Sequence, residues 1–434
     1  MPTRSQYALM SKKDKNTVIF VSFVSAVIFF DFLIYLYIAD IVSAAIFPAN
    51  NDPTVAKLQG MGLFVIGYLA RPFGGIVFGR YGDLKGRKPT FFLSIIVTAG
   101  SLLAMACLPT YAQWGALAPA LFILLRIIQG MAFGLYTPLS WVFVAEHVPR
   151  QYLSVACSYV TASFLVGVLF SNAFFLWLTD FMTTVQLTDY GWRLPFFVGA
   201  LLTCLPLLVW RLVKETPFFL ALDKPKTGKN LGRPFTVLFK RCKHSIFVSM
   251  VLTIVISSIT SVIVLLLPEL IEINFTLDSD LFSFSHSLGI VFMVLGCVFY
   301  GMISTHENFG KILVIGSVLL IAQTLAFFYH LQAGGDYILI MYALLGFCAG
   351  IMGMIPAILV QLFPTNVRLT GISFCYNITY GIVGVLIPFG LGYATTLISF
   401  SPALYIAFVG SIGIIMGLYF YNLPEFKKID HVIL

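Results

Sequence analysis

The sequence predicts an all-α membrane protein with twelve transmembrane helices in two pseudo-symmetric six-helix bundles. Three observations carry this. Of the 434 residues, 59% are hydrophobic and only 10% charged, against roughly 25% charged in soluble domains, and the mean hydropathy is +0.95. Twelve apolar runs are each long enough to cross a ~30 Å hydrocarbon core. Finally, one polar segment rich in lysine, glycine and proline divides the runs six and six.

In order, a basic N-terminal segment, 1–16, precedes the first run, near 17–47. Lys12, Lys13 and Lys15 before it imitate a signal peptide. The run's length and the aspartate inside it, Asp31, favour a retained first span. Runs near 58–79, 90–110, 117–146, 152–179 and 192–213 complete a first bundle, 17–213. Segment 214–244, with "KPKTGKNLGRP", reads as a linker. Runs near 245–271, 283–304, 311–330, 337–362, 370–398 and 402–423 form a second bundle, 245–423, followed by a short tail, 424–434.

Lysine and arginine give the orientation. With both termini, the tail included, in the cytoplasm, 22 of the 26 fall on that side, and only Lys57 and Arg193 face outward. Arg71 and Arg126 lie within spans. The net charge of +8 is therefore a property of cytoplasmic flanks, and no nucleic-acid partner is expected. The seven cysteines form no CxxC pair and sit mostly in apolar runs, so they read as packing residues with no metal site. The halves also echo each other. "EHVPRQYLSVACSYVTASFLVGVL" from Glu146 and "QLFPTNVRLTGISFCYNITYGIVGVL" from Gln361 each open a fifth span, 215 residues apart. Parallel repeats of this kind build some secondary transporters.

Asp31 is the sequence's central puzzle. It lies about 14 residues into its run, hence roughly 20 Å deep. An ionised carboxylate there is costly unless paired or neutralised, and such residues are functional candidates. Arg126, deep in the fourth span, is the expected partner. A carboxylate paired with a guanidinium stays charged, whereas separating the pair favours a proton. Asp31 and Arg126 are thus expected to form a proton switch, with a purely structural ion pair as the alternative.

"GRYGDLKGRKP", Gly79 to Pro89, fits the G-x-x-x-D-[RK]-x-G-R-[RK] loop of the major facilitator superfamily, with Leu84 at a usually basic position. Its second-half counterpart, "GMISTHENFG" from Gly301, has Thr305 in place of the acid. "FFDFLIY" (29–35), "ARPFGGIVFGRYGD" (70–83), "LLRIIQG" (124–130), "GWRLPFFVGALL" (191–202), "ETPFFLAL" (215–222) and "LFPTNVRLTGISFCYNI" (362–378) together resemble the metabolite:proton symporter family of that superfamily. That family holds proline/betaine, α-ketoglutarate, shikimate and citrate carriers. The resemblance spans nearly the whole chain.

The resemblance implies the major facilitator fold and places Gly79, Asp83, Gly86, Arg87 and Arg368 on family positions; with Arg150 these are the expected gating residues. It places Arg71, Arg126, Gln129, Tyr376 and Asn377 on family positions, and Tyr35, Tyr136 and Tyr380 join them as substrate-binding candidates. The chain departs from the family at three acids: Ile28, Tyr136 and Gln361 stand where acids are usual. Their loss argues against a cationic substrate and leaves Arg71 and Arg126 as the dominant deep charges. His286 and His330 read first as packing or rim histidines.

No G-x-x-x-x-G-K-[ST], HExxH or G-x-S-x-G occurs, so neither ATP use nor enzymatic chemistry is expected. The expected protein is a monomeric, multi-pass carrier of a bacterial inner membrane. It imports a small organic acid, or another anionic or neutral solute, with a proton by alternating access. It needs no cofactor, since the proton gradient supplies the energy. The alternatives are an uncoupled facilitator or an exporter of the same fold, a polycarboxylate siderophore carrier included, and a membrane sensor or scaffold without transport.

Overall fold

The computed structural model describes residues 10–48, 53–222, 234–274, 279–306, 308–334 and 336–423. The described residues are helical and contain no strand. The spans are α1 Lys12–Ile46, α2 Pro53–Lys85, α3 Arg87–Ala106, α4 Leu117–Ala145, α5 Leu153–Phe181, α6 Arg193–Leu208, α7 Lys243–Ile271, α8 Ser279–His306, α9 Phe309–Gln332, α10 Ile338–Gln361, α11 Arg368–Leu397 and α12 Ser401–Asn422. Eleven of these pass as membrane spans alone, and α6 does so with the short helix Thr184–Gly191, bent from it by 50°.

Several boundaries differ from the sequence reading. Helix α1 starts at Lys12, earlier than expected, because Ser11 and Asp14 form a reciprocal cap at its N-terminus. The expected linker carries two short helices, Pro217–Leu220 and Pro234–Arg241. Its centre, 223–233, most of the N-terminal segment (1–9), Glu307 and the C-terminal tail, 424–434, lie outside the described residues.

The packing order repeats in both halves. In the first, α1 packs on α5, α2 on α4, and α3 on α4 and α6. In the second, α7 packs on α11, α8 on α10, and α9 on α12. The halves meet through α2 against α11 and α5 against α8, a swapped pair that a pseudo-two-fold axis requires.

Glycines set the closest contacts at equivalent places. A Cβ on Gly130 of α4 would run into the Gly67 backbone of α2, and one on Gly134 into that of Arg71. In the second half a Cβ on Gly346 of α10 would strike Gly289 of α8, and one on Gly350 would strike Gly296. Both α4 and α10 thus use a G-x-x-x-G spacing to bring backbones together, as membrane helices do where no hydrophobic effect drives association. Two spans are irregular near the centre: α7 has a π-helical stretch, Thr260–Leu266, and α10 a 3-10 stretch, Gly350–Met354. Such stretches often mark functional positions.

Candidate functional site

A cavity lies between the halves, where both irregular stretches border it through Thr260 and Met352. Arg71 of α2 enters it. The residue is 2% exposed. Its guanidinium carbon lies 4.7 Å from the ring centre of Tyr380, 4.8 Å from those of Tyr68 and Phe133, and 5.5 Å from that of Tyr376. The periodicity explains the cage. Tyr68 stands one turn before Arg71 on α2, and Tyr376 and Tyr380 are one turn apart on α11, so each pair shares a face.

Ring faces attract the cation but do not accept its N–H groups as a carboxylate would. Arg71 Nε and Nη2 have no hydrogen-bond partner among the described residues. Among the described residues no acid lines the cavity, and Arg71 is the only charged one that does. Its other polar groups are few. Trp141 Nε1 donates to Thr161 Oγ1 at 3.1 Å, and Thr260 Oγ1 meets the Tyr380 hydroxyl at 3.3 Å.

The second charged group lies within the first half. Asp31, fully buried near the midpoint of α1, turns toward α6. Thr203 Oγ1 donates to its Oδ2 at 2.5 Å, Gly199 leaves room for Oδ1, and Oδ1 has no partner among the described residues. Arg126 is also fully buried but turns to α1 and its own helix. It stacks over Tyr35 at 4.1 Å and Phe32 at 5.4 Å, and Nη1 donates to Gln129 Oε1 at 2.7 Å. Its Nε and Nη2 are unpartnered among the described residues.

The ion pair expected between Asp31 and Arg126 is therefore not formed in this conformation. The two residues share depth, but the helix rotations aim their side chains apart. Gln129 stands between, its Nε2 reaching the Asp31 backbone oxygen at 3.5 Å.

A third group closes the seam at the end of the bundle that carries the α2–α3 loop. Asp83 accepts from Leu369 N at 3.2 Å and Thr370 N at 2.8 Å, two of the orphan donors at the N-terminus of α11. Arg87 pairs with Asp83 at 3.1 Å and with Glu146 at 3.1 Å, and donates to Thr365 O at 2.6 Å. Arg368 reaches Glu146 from the other half at 2.9 Å, and Thr216 Oγ1 donates to Glu146 at 2.7 Å. Gly79 brings α2 against Ser373 and Thr370 of α11. Gly86, at φ +117°, makes the turn that lets Glu215 accept from Arg87 N at 3.0 Å and Lys88 N at 3.1 Å at the start of α3. Arg150 sits exposed in the turn before α5.

The sequence reading missed Glu146 and Glu215 as members of this group. The signal was present: each is an acid at the same membrane face as Arg87 and Arg368. Tyr68 was missed as well.

Of the substrate-binding candidates, Arg71, Tyr376 and Tyr380 line the cavity. Arg126, Gln129, Tyr35, Tyr136 and Asn377 do not. Tyr35 donates to Gly60 O at 3.0 Å, and Tyr136 meets Ser25 at 3.0 Å, both inside the first half. Asn377 Nδ2 donates to Gly134 O at 2.7 Å and Ser373 O at 2.8 Å, tying α11 to α4. His286 is a packing residue, bonded to the Tyr342 hydroxyl at 2.8 Å. His330 accepts from Tyr337 N at 2.9 Å after α9.

Comparison with known proteins places this geometry. Residues 17–388 match the family model described as Major Facilitator Superfamily. The chain is 32% identical over 387 residues to the inner membrane metabolite transport protein YhjE of Escherichia coli K12, covering 84% of each chain. It is 28% identical over 418 residues to the proline/betaine transporter of Salmonella typhimurium LT2, covering 91% of this chain and 81% of that one. Among solved structures, the proton:xylose symporter XylE bound to 6-bromo-6-deoxy-D-glucose superposes with a TM-score of 0.79 over 94% of this chain and 95% of that one, at 16% identity. The inward open conformation of XylE gives 0.63 at 15% identity, over 96% and 98%. At these identities the structures speak for the fold alone.

Proposed function

The chain belongs to the Major Facilitator Superfamily, and we propose that this transporter is a proton-coupled symporter. In this reading Asp31 carries the proton and Arg71 holds a small organic metabolite in the cavity between the halves. The carrier works as a monomer in a bacterial inner membrane, with both termini and the α2–α3 loop in the cytoplasm. It draws on the proton gradient alone and performs no catalysis.

One observation carries the coupling: Asp31 is fully buried near the midpoint of α1 and, among the described residues, has no cationic partner and holds only a threonine hydroxyl on one oxygen. A fixed Asp31–Arg126 pair, the basis of the facilitator alternative, is not what the side chains form here. A proton can take the place that a cation leaves vacant, and Gln129 sits where it can relay a change at Asp31 to Arg126.

The cycle follows from the two swapped seams. The charge network around Glu146 holds the cytoplasmic end shut, and rocking one half against the other must break it. Substrate on Arg71 touches α2, α4 and α11 together through the cage, so its binding is felt by both halves.

Reconstituted protein tests this. Asp31→Asn fixes a neutral side chain at the site. It should abolish accumulation driven by an imposed pH gradient while substrate counterflow without a gradient persists. Wild-type accumulation by Asp31→Asn would remove Asp31 from coupling.

A further inference from the structure

The cavity's charge inventory says what it holds. Among the described residues it offers a single guanidinium with two unpartnered N–H-bearing nitrogens, no carboxylate, and no second cation. Around that charge the walls are aromatic and aliphatic: Phe29 stacks on Phe164 at 4.1 Å, and Trp141 meets Tyr376 edge-on at 5.1 Å.

Each solute class can be weighed against that inventory. A dicarboxylate or tricarboxylate would bring a second negative charge into apolar walls with no cation to meet it, a costly burial. A free amino acid would bring an ammonium with no acid to pair it. A sugar would bring many hydroxyls to a cavity with few donors and acceptors, each left unpaired at a cost. A carboxylate with a compact apolar body matches the charge and polarity of the lining: the anion takes the orphaned guanidinium donors, and the body takes the ring faces once the halves part to widen a cavity that is about 40 Å³ in this conformation.

We infer that the cavity of this carrier selects a monovalent carboxylate with an apolar body, and that it moves with one proton so that the transport cycle carries no net charge. The inference rests on the proton-coupled reading above and deepens it. The bookkeeping is short. The carboxylate cancels the charge of Arg71, the proton cancels that of Asp31, and Arg126 is unchanged. The loaded and empty carriers therefore cross with equal charge.

The test uses the purified full-length protein. In detergent, benzoate, 3-methylbutanoate, succinate, citrate, betaine, proline and xylose are titrated against thermal stability and against the fluorescence of Trp141, which lines the cavity. A Trp141→Phe control assigns the fluorescence signal.

The expected result is a response to one or both monocarboxylates. Arg71→Gln should weaken it about 10- to 100-fold. Arg71→Lys, which keeps the charge but loses the planar fork, should weaken it less. The unliganded melting temperatures of the variants report whether they fold, and Arg71→Lys keeps the test open if Arg71→Gln does not. In proteoliposomes, the responding acid should acidify the lumen faster than in protein-free vesicles. It should give no sustained current on a solid-supported membrane, and a potassium diffusion potential should not change its uptake.

Equal or tighter binding of succinate, citrate, betaine, proline or xylose overturns the selectivity. Silence toward both monocarboxylates overturns it too. A sustained current, or uptake that follows the potential, overturns electroneutrality. These failures leave the Asp31→Asn test untouched. Loss of coupling at Asp31 without any change in ligand selectivity is the separate signature for the underlying reading.

Discussion

Glu146→Gln should open the end of the bundle that the charge network closes. The substitution keeps the side chain's size and removes its charge. In this conformation Glu146 is fully buried and receives Arg87 at 3.1 Å, Arg368 at 2.9 Å and Thr216 at 2.7 Å. Removing one partner of a buried ion pair costs about 3–5 kcal/mol. Two features lower that figure: the Arg368 side chain is 14% exposed, and glutamine still offers an oxygen to one arginine. About 2–3 kcal/mol of closed-state stabilisation remains to be lost. Each 1.4 kcal/mol is a factor of ten, so the closed-to-open ratio falls about 30- to 140-fold. An open form held at ~1% would then reach roughly a quarter of the molecules or more. Ser373 reports on this seam. It is buried on α11 against Gly79 of α2, and its hydroxyl has no partner among the described residues, so a cysteine there costs little. In a background free of the native cysteines, the maleimide labelling rate of Ser373→Cys should rise at least tenfold when Glu146→Gln is added. A rate unchanged within twofold, in protein that still melts cooperatively, would refute the claim that the network holds the seam.

Two further outcomes follow from particular contacts. Gly199→Ala puts a methyl group against Asp31 Oδ1, so the carboxyl must move; accumulation driven by a pH gradient should fall at least fivefold, with counterflow retained, and intact accumulation would show that the position of Asp31 is not critical. Asn377→Ala removes a hydrogen bond that joins α11 to Gly134 of α4 and a second one to Ser373 O within α11; at about 1 kcal/mol each, the melting temperature should drop by a few degrees while monocarboxylate affinity stays the same, and a large affinity loss would return Asn377 to the binding site.

Hydropathy, the lysine and arginine distribution and the 215-residue echo were enough to read the twelve spans, because the bilayer acts on each segment separately. What sequence supplied for the site was depth. Asp31 and Arg126 both lie deep, and depth alone made them partners. The rotation of each helix about its axis decides which neighbours a side chain meets. That rotation is set by contacts such as Gly130 on Gly67, which only the assembled bundle fixes. Tyr136 was misread for the same reason: its hydroxyl bonds Ser25 within one half and never reaches the cavity. Where the face could be counted along a single helix, as from Tyr68 to Arg71 or from Tyr376 to Tyr380, the signal was local and readable. Glu146 lay between these cases, since its partners come from both halves.

The backbone-to-backbone contacts of α2 with α4 and of α8 with α10 have a mechanical consequence. Where glycine meets glycine there is no side chain to act as a compressible filler, and packed interiors yield little. Each half therefore contains one stiff rib, and squeezing the molecule in the plane of the membrane cannot shorten it. The strain passes to the α2–α11 and α5–α8 seams, where polar contacts, the Glu146 network at one end and Asn172 to Ser287 at 3.1 Å elsewhere, stand in place of glycine on glycine. In the proposed cycle those seams are the joints that open, so turnover should rise or fall with the lateral tension of the host membrane.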